Sequence, residues 1–281
     1  MTPAAPDSPS LHAADTASSQ RTSGSQQAPH VQPSPPPRSQ RSHRSQTGFN
    51  LRRLALLNAL GVALLACWWI PALDFWPTLD SDVFWDFNQF ITPLNPHWDT
   101  LLGILNTRAF DAVAFAMMGV LFCWAMLNDQ QPARYRRWTS IGITMLLTAG
   151  LLSLFVLRAI SYGHASPTRF FSHAQHLSEL VSFKTKDSAS NSFPGDHGLM
   201  LMVFASFMLA FAPRRIALCS LAFVVLLSAP RIMVGAHWFS DVYLGSLSIA
   251  LIALPWVLCT PLATTVAHGM ENALARLKQR S

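Results

Sequence analysis

Six apolar runs separated by short polar breaks organise the chain. They lie near residues 54–73, 109–127, 138–157, 198–213, 215–234 and 242–262. The third, Trp138 to Leu157, holds 20 residues. At about 1.5 Å per residue such a helix reaches ~30 Å, the depth of a bilayer's hydrocarbon core. The fourth and fifth runs are shorter or interrupted, and Ala212-Pro213-Arg214-Arg215 leaves only a tight turn between them. The pattern predicts an all-α polytopic membrane protein with six transmembrane helices in a bundle. Residues 74–108, between the first two runs, carry a cluster of Trp and Phe from Phe75 to Trp98. Such residues favour the membrane–water interface, so a short interfacial helical segment is expected there, with helices around 80–91 and 97–106.

The flanks read differently. Residues 1–50 are rich in Ser, Pro, Gln and Thr and hold almost no large apolar side chains. A segment of that kind buries too little surface to offset its ordering entropy, so a disordered tail is expected. It does not read as a secretory signal, because no apolar core follows the first residues. The expected organisation is a tail over 1–50, a membrane domain over 51–265 and a basic tail over 266–281.

Composition supports membrane residence. Hydrophobic residues make up 51% and charged residues 12%, against about 25% charged in an average globular chain. The net charge of +6 is scattered through short loops. It forms no basic patch interleaved with aromatics, which argues against a nucleic-acid partner. Counted by side, 14 Lys and Arg fall with the two tails and six with the other loops. The positive-inside rule then puts both termini in the cytoplasm, and an even number of spans agrees. The composition suits a bacterial inner membrane. Cys67, Cys123, Cys219 and Cys259 all fall in apolar runs and read as buried free thiols.

The chemistry concentrates at one predicted face. Arg231, His237 and Asp241 form R-x5-H-x3-D. His237 and Asp241, four apart, share a helix face with Cβ atoms about 5–6 Å apart. A carboxylate there can fix the imidazole tautomer and leave the other nitrogen free to attack. Arg231 suits bidentate binding of phosphate oxygens, and Gly235 lets the chain turn between it and His237. Upstream, Phe193-Pro194-Gly195-Asp196-His197 opens the fourth run, where free backbone N–H groups attract anions. His173, His176 and Glu179 share a helical face but show no fourth ligand, so no metal is assigned. Lys184 and Lys186 read as solvated, and Asp111 as a structural partner of Arg108 on one helix face.

These motifs resemble those of the type 2 phosphatidic acid phosphatase (PAP2) superfamily of integral membrane lipid phosphatases, over roughly residues 75–262. Its third signature, S-R-x5-H-x3-D, is matched by Arg231, His237 and Asp241, with Pro230 where Ser is usual. Its second, P-S-G-H, is matched by Pro194 and His197, with Gly195 and Asp196 between. Its first, K-x6-R-P, is missing. Arg158 stands where the lysine would, and His164 or Arg169 would replace the arginine. The resemblance implies a lipid phosphate substrate met among membrane lipids on the extracytoplasmic face, and no cofactor. Arg231, the Gly195–Asp196 backbone, Arg158, and Arg169 or His164 would hold phosphate. His237 would attack phosphorus, Asp241 would orient it, and His197 would serve the leaving group. A phosphotransferase of the same superfamily, a six-helix transporter and a non-catalytic scaffold are the alternatives.

Overall fold

The computed structural model describes residues 50–70, 74–160, 163–262, 265, 266 and 269. Nearly all of the expected N-terminal tail and most of the C-terminal tail lie outside the described residues. Among those described, every regular element is helical.

Among the described residues ten α-helices follow one another. α1 (Leu51–Trp69) is capped by Asn50, whose side chain accepts from the Arg53 N–H. α2 (Phe75–Asn88) and α3 (Pro96–Leu105) form the aromatic segment between the first two long helices. α4 (Arg108–Leu127) starts at a Thr107 cap, and α5 (Arg134–Ala159) is the longest. Two single turns, α6 (Pro167–Phe170) and α7 (Leu177–Leu180), punctuate the long loop that follows. α8 (Asp196–Phe211) and α9 (Arg214–Met233) are joined by the tight Ala212-Pro213 turn. A π-helical turn, Asp241–Ser246, runs directly into α10 (Leu247–Leu258).

Five of these helices are long and apolar enough to cross a membrane: α1, α4, α5, α9, and Asp241–Leu258 as one unit. The fourth run, expected as a sixth span, forms a 16-residue apolar helix. At about 1.5 Å per residue that is ~24 Å, short of a full hydrocarbon core. The shortness has a structural reason, because α8 is the central helix. Its whole circumference is apolar, and Leu199, Val203, Phe207 and Met208 on it are fully buried. It packs against α5, α9 and α10. The outer helices do the reverse. Leu56, Val120 and Leu151 stand more than half exposed on α1, α4 and α5. Continuous outward apolar faces of this kind suit a hydrocarbon solvent.

The same inversion corrects the cysteine expectation. Cys67, Cys123 and Cys219 are exposed, and Cys259 is buried. In a chain whose apolar side chains face outward as well as inward, membership of an apolar run does not imply burial within the protein.

Polar groups fix how the helices meet. Asn58 of α1 donates to the carbonyls of Leu251 and Ile252 at 3.1 and 3.0 Å and accepts from the Trp256 indole at 3.0 Å. Away from water each such bond has no solvent competitor. At the opposite end of α10, buried Asp80 of α2 accepts from the Ser240 N–H at 2.8 Å and from its hydroxyl at 2.5 Å. Burial pushes the Asp80 carboxyl up to about 6, against the two Ser240 hydrogen bonds, which pull it down. Helix α2 is thereby anchored over the loop after α9. That loop turns at Gly235, whose φ of +76° is left-handed. Gly235 ends α9 with its N–H on the Ile232 carbonyl, and the next two amides both return to the Arg231 carbonyl. The turn therefore folds His237 back toward Arg231, six residues before it.

A Cβ at Gly235 would lie 2.6 Å from the Phe84 ring and 2.7 Å from Thr168. Gly235→Ala should therefore lower stability by about 1–3 kcal/mol through backbone strain alone, with the clash adding to it. Thermal unfolding in detergent, compared with Gly150→Ala at an open position, measures this. Equal melting temperatures for the two variants would contradict the packing described.

Candidate active site

A cavity of about 600 Å³ opens where the start of α8, the end of α9 and the C-terminal end of α5 converge. Lys186, Asp196, His197, Arg231 and His237 supply its polar wall, and Val156, Ile160, Phe193 and Leu199 part of its apolar wall.

His237 is buried, and its Nδ1 lies 2.9 Å from the Ser192 carbonyl. A carbonyl can only accept, so Nδ1 carries the proton and Nε2 keeps its lone pair. Ser192 is itself held by His164, whose carbonyl accepts from the Ser192 N–H at 2.7 Å and from its hydroxyl at 3.0 Å. The expected tautomer therefore forms, but a backbone carbonyl sets it. The Asp241 carboxylate lies 3.9 Å from Nδ1, beyond hydrogen-bond reach. Asp241, fully buried, instead accepts from the Trp238 N–H at 2.8 Å and meets His164 Nδ1 at 3.2 Å. Its own carbonyl accepts from the Gly195 N–H at 3.1 Å. Asp241 thus joins the second motif to the third. His237 precedes the helical turn and so shares no helix face with Asp241, unlike the i,i+4 expectation.

His197 stands between two carboxylates. Its Nδ1 is 2.8 Å from Asp196 Oδ1 and its Nε2 is 3.1 Å from Asp111 Oδ1. Arg231 Nη2 lies 3.3 Å from the same Nε2. The Asp196 oxygen that meets His197 is also 3.7 Å from His237 Nε2, so the two imidazoles face one shared point.

Arg231 is 4% exposed. It donates to Asp111 at 2.5 Å through Nη2 and to the Asn106 carbonyl at 3.5 Å through Nη1. Lys186 donates to the other Asp111 oxygen at 3.0 Å, and its backbone N–H donates to that same Asn106 carbonyl at 3.1 Å. Asp111 is therefore no helix-face partner of Arg108; it gathers Arg231, Lys186 and His197 from three segments. Lys186, expected to be solvated, lines the cavity. One sequence signal pointed to both: Asp111 is an acid in the first turn of an otherwise apolar span, and intramembrane acids are rarely idle.

Other expected phosphate ligands are placed elsewhere. Arg158 is exposed and not part of the cavity wall. Val156 and Ile160, which line the cavity, are each two residues from it, and residues two apart do not share a helix face. Arg169 is exposed on α6. His164 sits behind the cavity on Asp241. The Gly195 amide is engaged by Asp241, and the His197 amide by the Asp196 carboxylate at 2.7 Å. His173 stacks on Trp85 at 4.9 Å, and His176 caps α7. Among the described residues no group of three or more His, Cys, Asp or Glu is placed to hold a metal ion.

Burial pushes the His237 imidazole below its ordinary value; the Asp241 and Asp196 carboxylates and the Ser192 carbonyl pull it up without overturning that. The ring is thus neutral at neutral pH.

The family model for the PAP2 superfamily matches residues 137–264. Lipid A 1-diphosphate synthase of Escherichia coli K12 is 42% identical over 227 residues, covering 80% of this chain and 94% of that protein. Lipid A 1-phosphatases of Rhizobium johnstonii and Rhizobium etli are 37% and 35% identical, each over 42% of this chain and under half of their own length. No solved structure matches.

The displaced His237 titration makes a checkable statement. Protonation should occur below the ordinary midpoint of about 6.5, and NMR of ring-labelled histidine should show a neutral Nδ1–H tautomer at pH 7. A cationic ring at pH 7 would overturn the assignment.

Proposed function

The chain belongs to the PAP2 superfamily, and from that premise we propose that it is a membrane lipid-phosphate phosphatase working through a phosphohistidine on His237. The observation that carries the reading is the His237 tautomer. With Nδ1–H given to Ser192, Nε2 presents a lone pair to a cavity that also holds Arg231, Lys186 and His197.

In the first step Nε2 attacks phosphorus and the bond from phosphorus to the leaving oxygen breaks. His197 gives that oxygen a proton. In the second, His197 takes a proton from water, the oxygen attacks phosphorus, and the phosphorus–nitrogen bond breaks to restore His237. Arg231 and Lys186 neutralise the equatorial oxygens, as a fork and a point charge. His197 suits both duties. Protonated at Nε2 it donates to Asp111, and neutral there it accepts from Arg231, so each state has a partner. Asp111 does not line the cavity; it is a positioning residue that aims Arg231 and Lys186. The Asp196 carboxylate, exposed at the mouth, turns into water when phosphate enters, because like charges cannot share the site.

The bias of 14 basic residues to six supports an inner-membrane topology with both termini cytoplasmic and this cavity extracytoplasmic. α8 then serves as a sixth, short span, and α2 and α3 lie at the outer interface. The named activities of the relatives support a lipid A-type phosphate as substrate. A second reading, phosphoryl transfer to a lipid phosphate in place of water, is favoured by the match to a diphosphate synthase over 94% of that protein's length. Both begin with the same phosphohistidine.

The test is phosphate release by purified protein from phosphatidic acid, undecaprenyl pyrophosphate, phosphatidylglycerol phosphate and lipid A. His237→Ala should abolish turnover, and near wild-type activity in that variant would end the proposal. Radiolabel appearing on an added lipid A acceptor would select transfer. Removing the charge of Asp111 should act at one remove. Asp111→Asn should weaken vanadate inhibition and lower kcat/KM by about 10–100-fold, the range for losing an orienting partner, with Asp111→Glu recovering part of it. Tighter vanadate binding by Asp111→Asn would instead make Asp111 a competitor for the anion site.

A further inference from the structure

A second cavity of about 600 Å³ runs along the membrane-facing side between α5 and α10. Its walls are Leu147, Leu151 and Phe155 on one side and Ile252, Ala253 and Val257 on the other. Its two polar residues present no free group. The Thr144 hydroxyl donates to the Ser140 carbonyl at 2.8 Å, and the Thr148 hydroxyl to the Thr144 carbonyl at 2.7 Å. The groove is therefore apolar throughout. From Thr144 to Ile160 it follows α5 for about 24 Å, at ~1.5 Å per residue. Its outer end is shared. Val156 and Ile160 line both this groove and the cavity that holds the two histidines.

We propose that the α5–α10 groove is the binding site for one long hydrocarbon chain of the substrate, whose phosphate lies at Arg231 and Lys186. This rests on the lipid-phosphate reading above. Continuity decides the occupant. A lipid with its phosphate beside His237 has to lead its chain past Val156 and Ile160, and the apolar surface beyond them is this groove. A chain so placed enters sideways from the bilayer, and its length, not only its head group, governs binding. A bulk membrane lipid lying in the groove would have no tie to the catalytic cavity.

The experiment compares two phosphatidic acids in detergent, one dioleoyl and one water-soluble dihexanoyl. Leu151→Trp and Ala253→Trp fill the groove from opposite walls. Leu151 is 67% exposed, so its replacement leaves the fold intact, and turnover of the short lipid reports folding of both variants. The expected result is a KM for the dioleoyl lipid raised about tenfold, the equivalent of roughly two buried methylenes lost. The kcat values and the dihexanoyl KM should stay unchanged. In wild-type protein, a dioleoyl analogue with a photoreactive group at the chain end should label α5 and α10 peptides, and unlabelled substrate should compete. Equal KM changes for both lipids, no change in either variant, or labelling that substrate does not displace would each overturn the groove assignment. A wild-type protein that hydrolyses no lipid phosphate would overturn the phosphatase reading itself.

Discussion

A single carboxylate in the first turn of α4 holds the active-site end of the molecule together. Asp111 accepts from Arg231 and Lys186 and meets His197. These come from the end of α9, the long loop and the start of α8, segments that share no backbone ladder. Cations crowded in an apolar setting repel one another and lose hydration. One central anion offsets both effects, and the Asn106 carbonyl beside it receives Arg231 and the Lys186 amide together. The corner between α3 and α4 is thus the foundation on which the polar wall of the cavity stands.

The helix packing serves the same end. α8 is short and packed between α5, α9 and α10, so its N-terminus, with His197, opens on the cavity among its neighbours. The π-helical turn at Asp241–Ser246 lets the chain pass close to it. A Cβ at Gly245 would lie 2.5 Å from the Phe193 ring, so that side chain packs flat on the turn while it also lines the cavity. π-Turns within α-helices recur at functional sites because they shift the register of side chains by one. Here the shift leaves the Asp241 carboxylate on Trp238 and His164 and its carbonyl on Gly195. Chemistry in such a pocket depends on groups whose geometry is set before the substrate arrives. His237 meets that requirement through a backbone carbonyl, which cannot titrate.

Much was legible in the chain itself. The apolar runs located each long helix within a few residues, because membrane spans are selected on length and hydropathy alone. The aromatic stretch was recognisable as separate helices for a related reason. Arg231, His197 and His237 stood out because polar groups at the ends of apolar runs are expensive unless used, and all three line one cavity. The reading failed where local spacing stood in for contact. Arg158 and Arg169 sat at plausible positions but are exposed and do not line the cavity. Asp241 was assigned to His237 by an i,i+4 rule that holds only within a helix.

Hydrophobic periodicity, a few charges at run ends and one glycine turn determined the class of protein, the helices and the two histidines, since these depend on near neighbours. The tertiary structure alone decided which lysine lines the cavity, which acid gathers the cations and which oxygen meets the His237 ring. Lys186 and Asp111 are 75 residues apart, and Ser192 and His237 45. No local pattern records such pairs; packing of helices across the bundle brings them within hydrogen-bond reach.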